Sequence, residues 1–92
     1  VYKRQVEKGA VVHDSIVMPG SIIKAGAVVE YAIVGENCVI GEGARIGRRP
    51  EEMDDIDKWG IAVVGSDIVV GSTATVEPQT MLDRNLKEGE TA

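Results

Sequence analysis

The residues best suited to binding a phosphorylated ligand gather in one short stretch. Arg45, Arg48, Arg49 and Lys58 lie within or beside RRPEEMDDIDKW, and the planar fork of arginine matches phosphate oxygens. They are candidate contacts to a sugar-phosphate or nucleotide effector. The same segment also reads as a solvated surface loop, the ordinary role of a long insertion. Other chemistry is thin. His13 is the only histidine, so one chain cannot assemble a three-histidine metal site, and it reads as an exposed, inactive corner residue. Cys38 reads as a small buried thiol. Glu51, Glu52, Asp54 and Asp55 lack the spacing of a ligand constellation and read as solvated charges. Gly41 and Gly43 flank a turn, and no phosphate-cradling glycine loop follows. The chain is therefore expected to carry no catalytic, cofactor-binding or metal-binding residue of its own.

What would position the arginines is a repeat. GAVVHDSIV at Gly9 to Val17 returns 17 residues later as GAVVEYAIV, and GARIG follows after 17 more. Within it, Val6, Val12, Val17, Ile23, Val29, Val34, Ile40 and Ile46 recur at steps of 6, 5, 6, 6, 5, 6 and 6. A small residue stands two places before each of the last seven: Ala10, Ser15, Ser21, Ala27, Ala32, Cys38 and Ala44. Side chains alternate along a strand, so the small residue and the aliphatic share its inner side. A six-residue step does not fit an amphipathic helix. It fits a short strand and a tight turn, with Gly20, Gly26, Gly35, Gly41, Gly43, Gly65 and Gly71 at corners that often need positive φ. Three sides make one 17-residue coil, and coils should stack at about 4.8 Å.

After Ile46 the next core position is due at residue 51, but the pattern resumes at Val64, which leaves 13 extra residues. The insertion, about 47–60, should leave a corner of the third coil and form one or two helical turns after Pro50. Trp59 reads as its packing anchor. Near the end, Ile68 replaces a small inward residue, which suggests that the final coil widens or is less tightly filled. After Val76 the pattern fades, with Met81 as the last expected core position, and residues about 77–92 read as a cap.

The outward residues sort by side of the triangle. One face carries Ile16, Ile33 and Val63, a second carries Ile22, Val39 and Val69, and the third carries Val11, Val28, Arg45 and Thr75. Two faces are aliphatic throughout. Strand propensity alone favours Val and Ile there, but contiguous apolar stripes usually mark interfaces. They are candidate contacts to another subunit and to a neighbouring domain.

Composition agrees with one small domain over residues 1–92. The hydrophobic content of 43% suffices for a core, which must be aliphatic because Tyr2, Tyr31 and Trp59 are the only aromatics. The net charge of −5 argues against nucleic acid as a partner. No apolar run approaches a membrane span and no signal-peptide pattern is present. One cysteine excludes an internal disulfide and fits a reducing cytoplasm. The absence of an initiator methionine suggests a piece of a longer chain.

The run from GAVVHDSIVMPG through WGIAVVGSDIVVG, with DSIVMPG at Asp14 to Gly20, GEGARIG at Gly41 to Gly47 and the insertion before WGIAVVG, resembles the C-terminal domain of bacterial glucose-1-phosphate adenylyltransferases. The resemblance implies an all-β, left-handed parallel β-helix of hexapeptide repeats, with about four coils and one inserted loop. It also implies an assembly and regulatory role beside an N-terminal nucleotidyltransferase domain, within a homotetramer. The parent would convert ATP and α-D-glucose 1-phosphate to ADP-glucose and pyrophosphate with magnesium, at residues that lie in the other domain. Two alternatives share the fold: the β-helix of a hexapeptide acyltransferase, and that of a non-catalytic regulatory paralogue.

Overall fold

In a computed structural model that describes residues 5–92, with the side chains of Gln5 and Lys58 left aside, the repeat forms a parallel β-helix. Tyr2 lies outside the described residues. The strands follow one another around a triangle: β1 (Gln5–Val6), β2 (Val11–His13), β3 (Ile16–Val17), β4 (Ile22–Ile23), β5 (Val28–Glu30) and β6 (Ala32–Val34). They continue as β7 (Val39–Ile40), β8 (Arg45–Ile46), β9 (Ala62–Val64), β10 (Val69–Val70), β11 (Thr75–Val76) and β12 (Met81–Leu82). Every third strand joins the same sheet, giving the parallel orders β1-β4-β7-β10, β2-β5-β8-β11 and β3-β6-β9-β12. The register follows the repeat: Val11 lies beside Val28 and Val28 beside Arg45, each 17 residues on. Ile33 instead pairs with Val63, 30 residues on, and the difference 30 − 17 is the 13-residue insertion between β8 and β9.

The core is the expected column of aliphatics. Ile23, Val29, Val34, Ile40, Ile46, Val64, Val70 and Val76 are at most 1% exposed, and each is worth about 1.5–3 kcal/mol of burial. The small inward residues Ala27, Ala32, Cys38, Ala44, Ala62 and Ala74 are buried beside them. Val6 holds a core register opposite Ile23 but stays 51% exposed, because no described coil lies beyond it. Ser21 is fully buried and satisfied: its hydroxyl donates to the Gly35 carbonyl at 2.6 Å and accepts from the Cys38 N–H at 3.0 Å. No helix among the described residues is long and apolar enough to cross a membrane.

Three expectations need correction. Of the seven corner glycines, Gly20, Gly26 and Gly43 do take positive φ, but Gly35, Gly41, Gly65 and Gly71 do not. Gly41 is required by close approach instead: a Cβ there would lie 2.6 Å from the Ser72 nitrogen and 2.8 Å from the Gly71 carbonyl carbon. The left-handed corners fall two residues later, at Asn37, Gly43, Asp67 and Thr73. Secondly, Ile68 does not leave the final coil loosely filled: it is only 5% exposed and belongs to the core cluster. Thirdly, the pattern does not end near Met81. Met81 is 76% exposed, whereas Leu82 and Leu86 are each only 3% exposed, and Ala92 packs on the core. Leu86 bridges Val70, and Thr91 bridges Thr75. The C-terminal segment thus continues the helix as a partial fifth coil, hidden in the sequence because Met81 and Leu82 are both apolar and only Leu82 faces inward.

Candidate functional site

The insertion leaves Ile46 and returns at Ala62, crossing the corner between the second and third sheets. Arg49 is extended, as a residue before proline must be. Pro50 then starts a single tight turn, Pro50–Glu52, closed by the Met53 N–H on the Pro50 carbonyl. A second turn, Ile56–Lys58, is started by Asp55, whose carboxylate accepts from the Asp57 N–H at 3.1 Å. Trp59 ties the far end down. Its indole N–H donates to the Arg48 carbonyl at 2.6 Å, and its ring meets Tyr31 edge-on, with centroids 5.5 Å apart at 78°. The Gln79 amide on the next coil donates to the carbonyls of Asp57 (3.2 Å) and Trp59 (2.8 Å).

Beneath this loop lies a residue that sequence reasoning did not single out. Glu30 ends β5 on its outward side, yet it is 5% exposed because the loop covers it. Its Oε1 accepts from Arg45 Nη2 at 3.1 Å and its Oε2 from Arg49 Nε at 2.8 Å. Burying this carboxylate would be costly without such partners. The signal was present as an offset. Arg45 and Arg49 stand 15 and 19 residues after Glu30 and so straddle Gly47, one 17-residue coil on. Gly47 is buried against the Glu30 carbonyl, where a side chain would not fit.

The loop brings more acid to the same cations. Glu52 Oε1 lies 2.5 Å from Arg45 Nη2, and Glu77 Oε1 lies 3.3 Å from Arg48 Nε. The Arg48 contact is an ion pair rather than an aligned hydrogen bond, and Arg45 Nε is buried without an acceptor. The structure therefore gathers Arg45, Arg48 and Arg49 around one loop and sets three carboxylates against them. Lys58 belongs to the second turn, and its side chain is not described. Hydrogen bonding and then charge from Glu30 hold the Arg49 guanidinium more firmly protonated than usual. The Asp14 carboxylate beside Tyr31 raises its phenol above the ordinary value of 10.0, with burial adding to the effect.

His13 is exposed and lies in register beside Glu30. Cys38 is fully buried, its thiol donating to the Gly65 carbonyl at 2.9 Å. No group of three or more potential metal ligands occurs among the described residues. The outward stripes stand as separate features. Ile16 (56% exposed), Ile33 and Val63 line one sheet, and register adds Met81 to them. Ile22, Val39 and Val69 (47% exposed) line another.

Among solved structures, the chain is similar to serine acetyltransferase 1 of Entamoeba histolytica, described in complex with L-cysteine, at 23% identity and a TM-score of 0.38. The similarity covers 96% of this chain but 38% of that one, so the chain spans well under half the length of that protein. No curated protein matches the chain. Residues 2–90 match the family model of the GMPPB C-terminal domain, and the chain belongs to that family, a β-helix domain of nucleotidyltransferase-family proteins.

Proposed function

We propose that this chain is the assembly and regulatory C-terminal domain of a sugar-phosphate nucleotidyltransferase of the glucose-1-phosphate adenylyltransferase type. The parent reaction is then ATP plus α-D-glucose 1-phosphate giving ADP-glucose and pyrophosphate, with magnesium held in an N-terminal catalytic domain. The observation that carries the reading is the pair of outward aliphatic stripes, exposed at Ile16, Met81 and Val69 and half-buried between, on two sides of a β-helix from a family of C-terminal domains. One stripe serves self-association, toward a homotetramer, and the other serves the catalytic domain. The inserted loop supplies regulation, with Arg45, Arg48, Arg49 and Lys58 receiving the phosphate of a sugar-phosphate or nucleotide effector. Supporting this, Arg45 engages both carboxylates through one nitrogen, Nη2, so its fork is not used bidentately.

Light scattering across a concentration series tests the assembly part. A dimer or tetramer that becomes monomeric in Ile33→Glu or in Val39→Glu supports it and identifies the stripe. A monomer at every concentration overturns self-association by this domain. The catalytic part is tested on the full parent protein: ADP-glucose must form from ATP and glucose 1-phosphate, and a preference for another nucleotide or sugar phosphate refutes the adenylyltransferase assignment.

A further inference from the structure

The three carboxylates around the arginines are not equivalent. Glu30 is on a strand, is almost completely buried, and uses both oxygens on Arg45 and Arg49. It is a fixed base that orients both guanidinium groups. Glu52 is on the proline-led turn of the loop, and none of that turn's residues is buried. Its side chain is 43% exposed, and it reaches the same Arg45 nitrogen that Glu30 already occupies. The Arg45 side chain is 37% exposed, although its Nε is buried. An ion pair between groups this accessible is weak, because water solvates and screens both partners. A phosphate group has more charge and more acceptor oxygens than a carboxylate, and it suits a guanidinium with unused donors.

We infer that Glu52 is an internal stand-in for phosphate: it occupies Arg45 in the unliganded domain and is displaced when an external phosphate group binds. The inference rests on the phosphate reading of the loop and adds its regulation. The domain carries a competing anion on a short turn, so ligand entry must lift Pro50–Glu52 away from Arg45 while Glu30 stays in place. Occupancy of the site is thereby coupled to the position of the loop. The three arginines face Glu30, Glu52 and Glu77, so cation charge alone does not draw an anion in. The exposed carboxylates must yield.

The test is a calorimetric titration of inorganic pyrophosphate, without magnesium, into the 92-residue chain and its variants, with circular dichroism as the check on folding. Glu52→Gln removes the competitor and keeps the shape, so Kd should fall about two- to fivefold, the scale of an exposed ion pair. Glu51→Gln makes the same change of charge one residue away, where no contact to Arg45 is made, and should change Kd much less. Arg45→Ala should weaken binding in both the wild-type and Glu52→Gln backgrounds, more in the latter, and should abolish the gain from Glu52→Gln. Equal Kd values for wild type and Glu52→Gln, or an equal gain in Glu51→Gln, overturn the stand-in role while the phosphate reading survives. If wild type and Glu52→Gln both lack saturable binding, the phosphate reading itself fails and the stand-in falls with it.

Discussion

Thr73 gives the sharpest test of how the corners are built. It turns the chain between β10 and β11 with φ of 57°, in the left-handed region that a β-branched side chain avoids. The corresponding corners of the other coils are Gly9, Gly26, Gly43 and Gly89, with φ between 68° and 86°. These positions stack: a Cβ on Gly43 would meet Thr73 Cγ2 at 3.5 Å, and one on Gly89 would lie 3.8 Å from Thr73 Oγ1. Thr73 is exposed, and its hydroxyl reaches only the carbonyl of its neighbour Ser72, so truncation removes little burial. A left-handed L-residue costs about 1–2 kcal/mol, against about 0.5–1 kcal/mol for the extra freedom of glycine in the unfolded chain. Thr73→Gly should therefore be more stable than Thr73→Ala by about 0.5–1 kcal/mol, a shift of about 0.5 M in the urea midpoint for a domain of this size. Thr75 is the internal control, because it sits two residues later in β11 with ordinary strand geometry. There the order should reverse, with Ala above Gly by about 0.5–1 kcal/mol. If Ala exceeds Gly at both positions, the corner does not require the left-handed conformation and the argument fails.

Other consequences follow from the same packing. Gly41→Ala should destabilise the domain by about 1–3 kcal/mol in urea unfolding, since the new methyl group meets backbone atoms of the next coil that have no room to move; a neutral result would refute the close stacking. Leu86→Ala should cost about 2–4 kcal/mol if the C-terminal segment is a coil with its own core residue, whereas a loosely attached cap would lose almost nothing. Glu90 has its carboxyl held below the ordinary 4.5, first by the Lys87 N–H and then by Arg84. A lowered folded-state value gives stability that is present above about pH 4.5 and lost as pH falls toward the folded value. Glu90→Gln should flatten that acid limb of the stability curve, and an unchanged limb would mean that the contact contributes nothing.

The legibility of this sequence depends on how often each message is repeated. The inward aliphatic and its small neighbour recur on nearly every side of the first three coils, so face, register and insertion length can all be counted from the sequence. Glycine carried two messages that composition does not separate: left-handed φ at Gly43 and absence of a side chain at Gly41. The C-terminal coil was misread because its core residues, Leu82 and Leu86, follow a changed spacing after Pro78. A gap of six residues to Leu82 replaces the usual five on that side, and only four separate it from Leu86.

The loop site was legible only in half, and the reason is physical. A strand's outward position is solvent-facing unless something covers it, and nothing in the period of the repeat says that the insertion folds back over Glu30. The arginines could be found by type, since they are clustered and basic. Their partners could not, because Glu30, Glu52 and Glu77 come from three different coils or turns and each is met once. Pairing changes the meaning of the cluster. Three unpaired arginines would attract any anion, whereas three arginines each facing a carboxylate select for a ligand that can outcompete one. The buried acid, Glu30, sets the geometry, and under the proposal above the exposed acid, Glu52, sets the threshold that such a ligand must exceed. In the proposed phosphate site, discrimination would therefore reside in the difference between two glutamates, one fixed by burial and one held by a weak exposed pair.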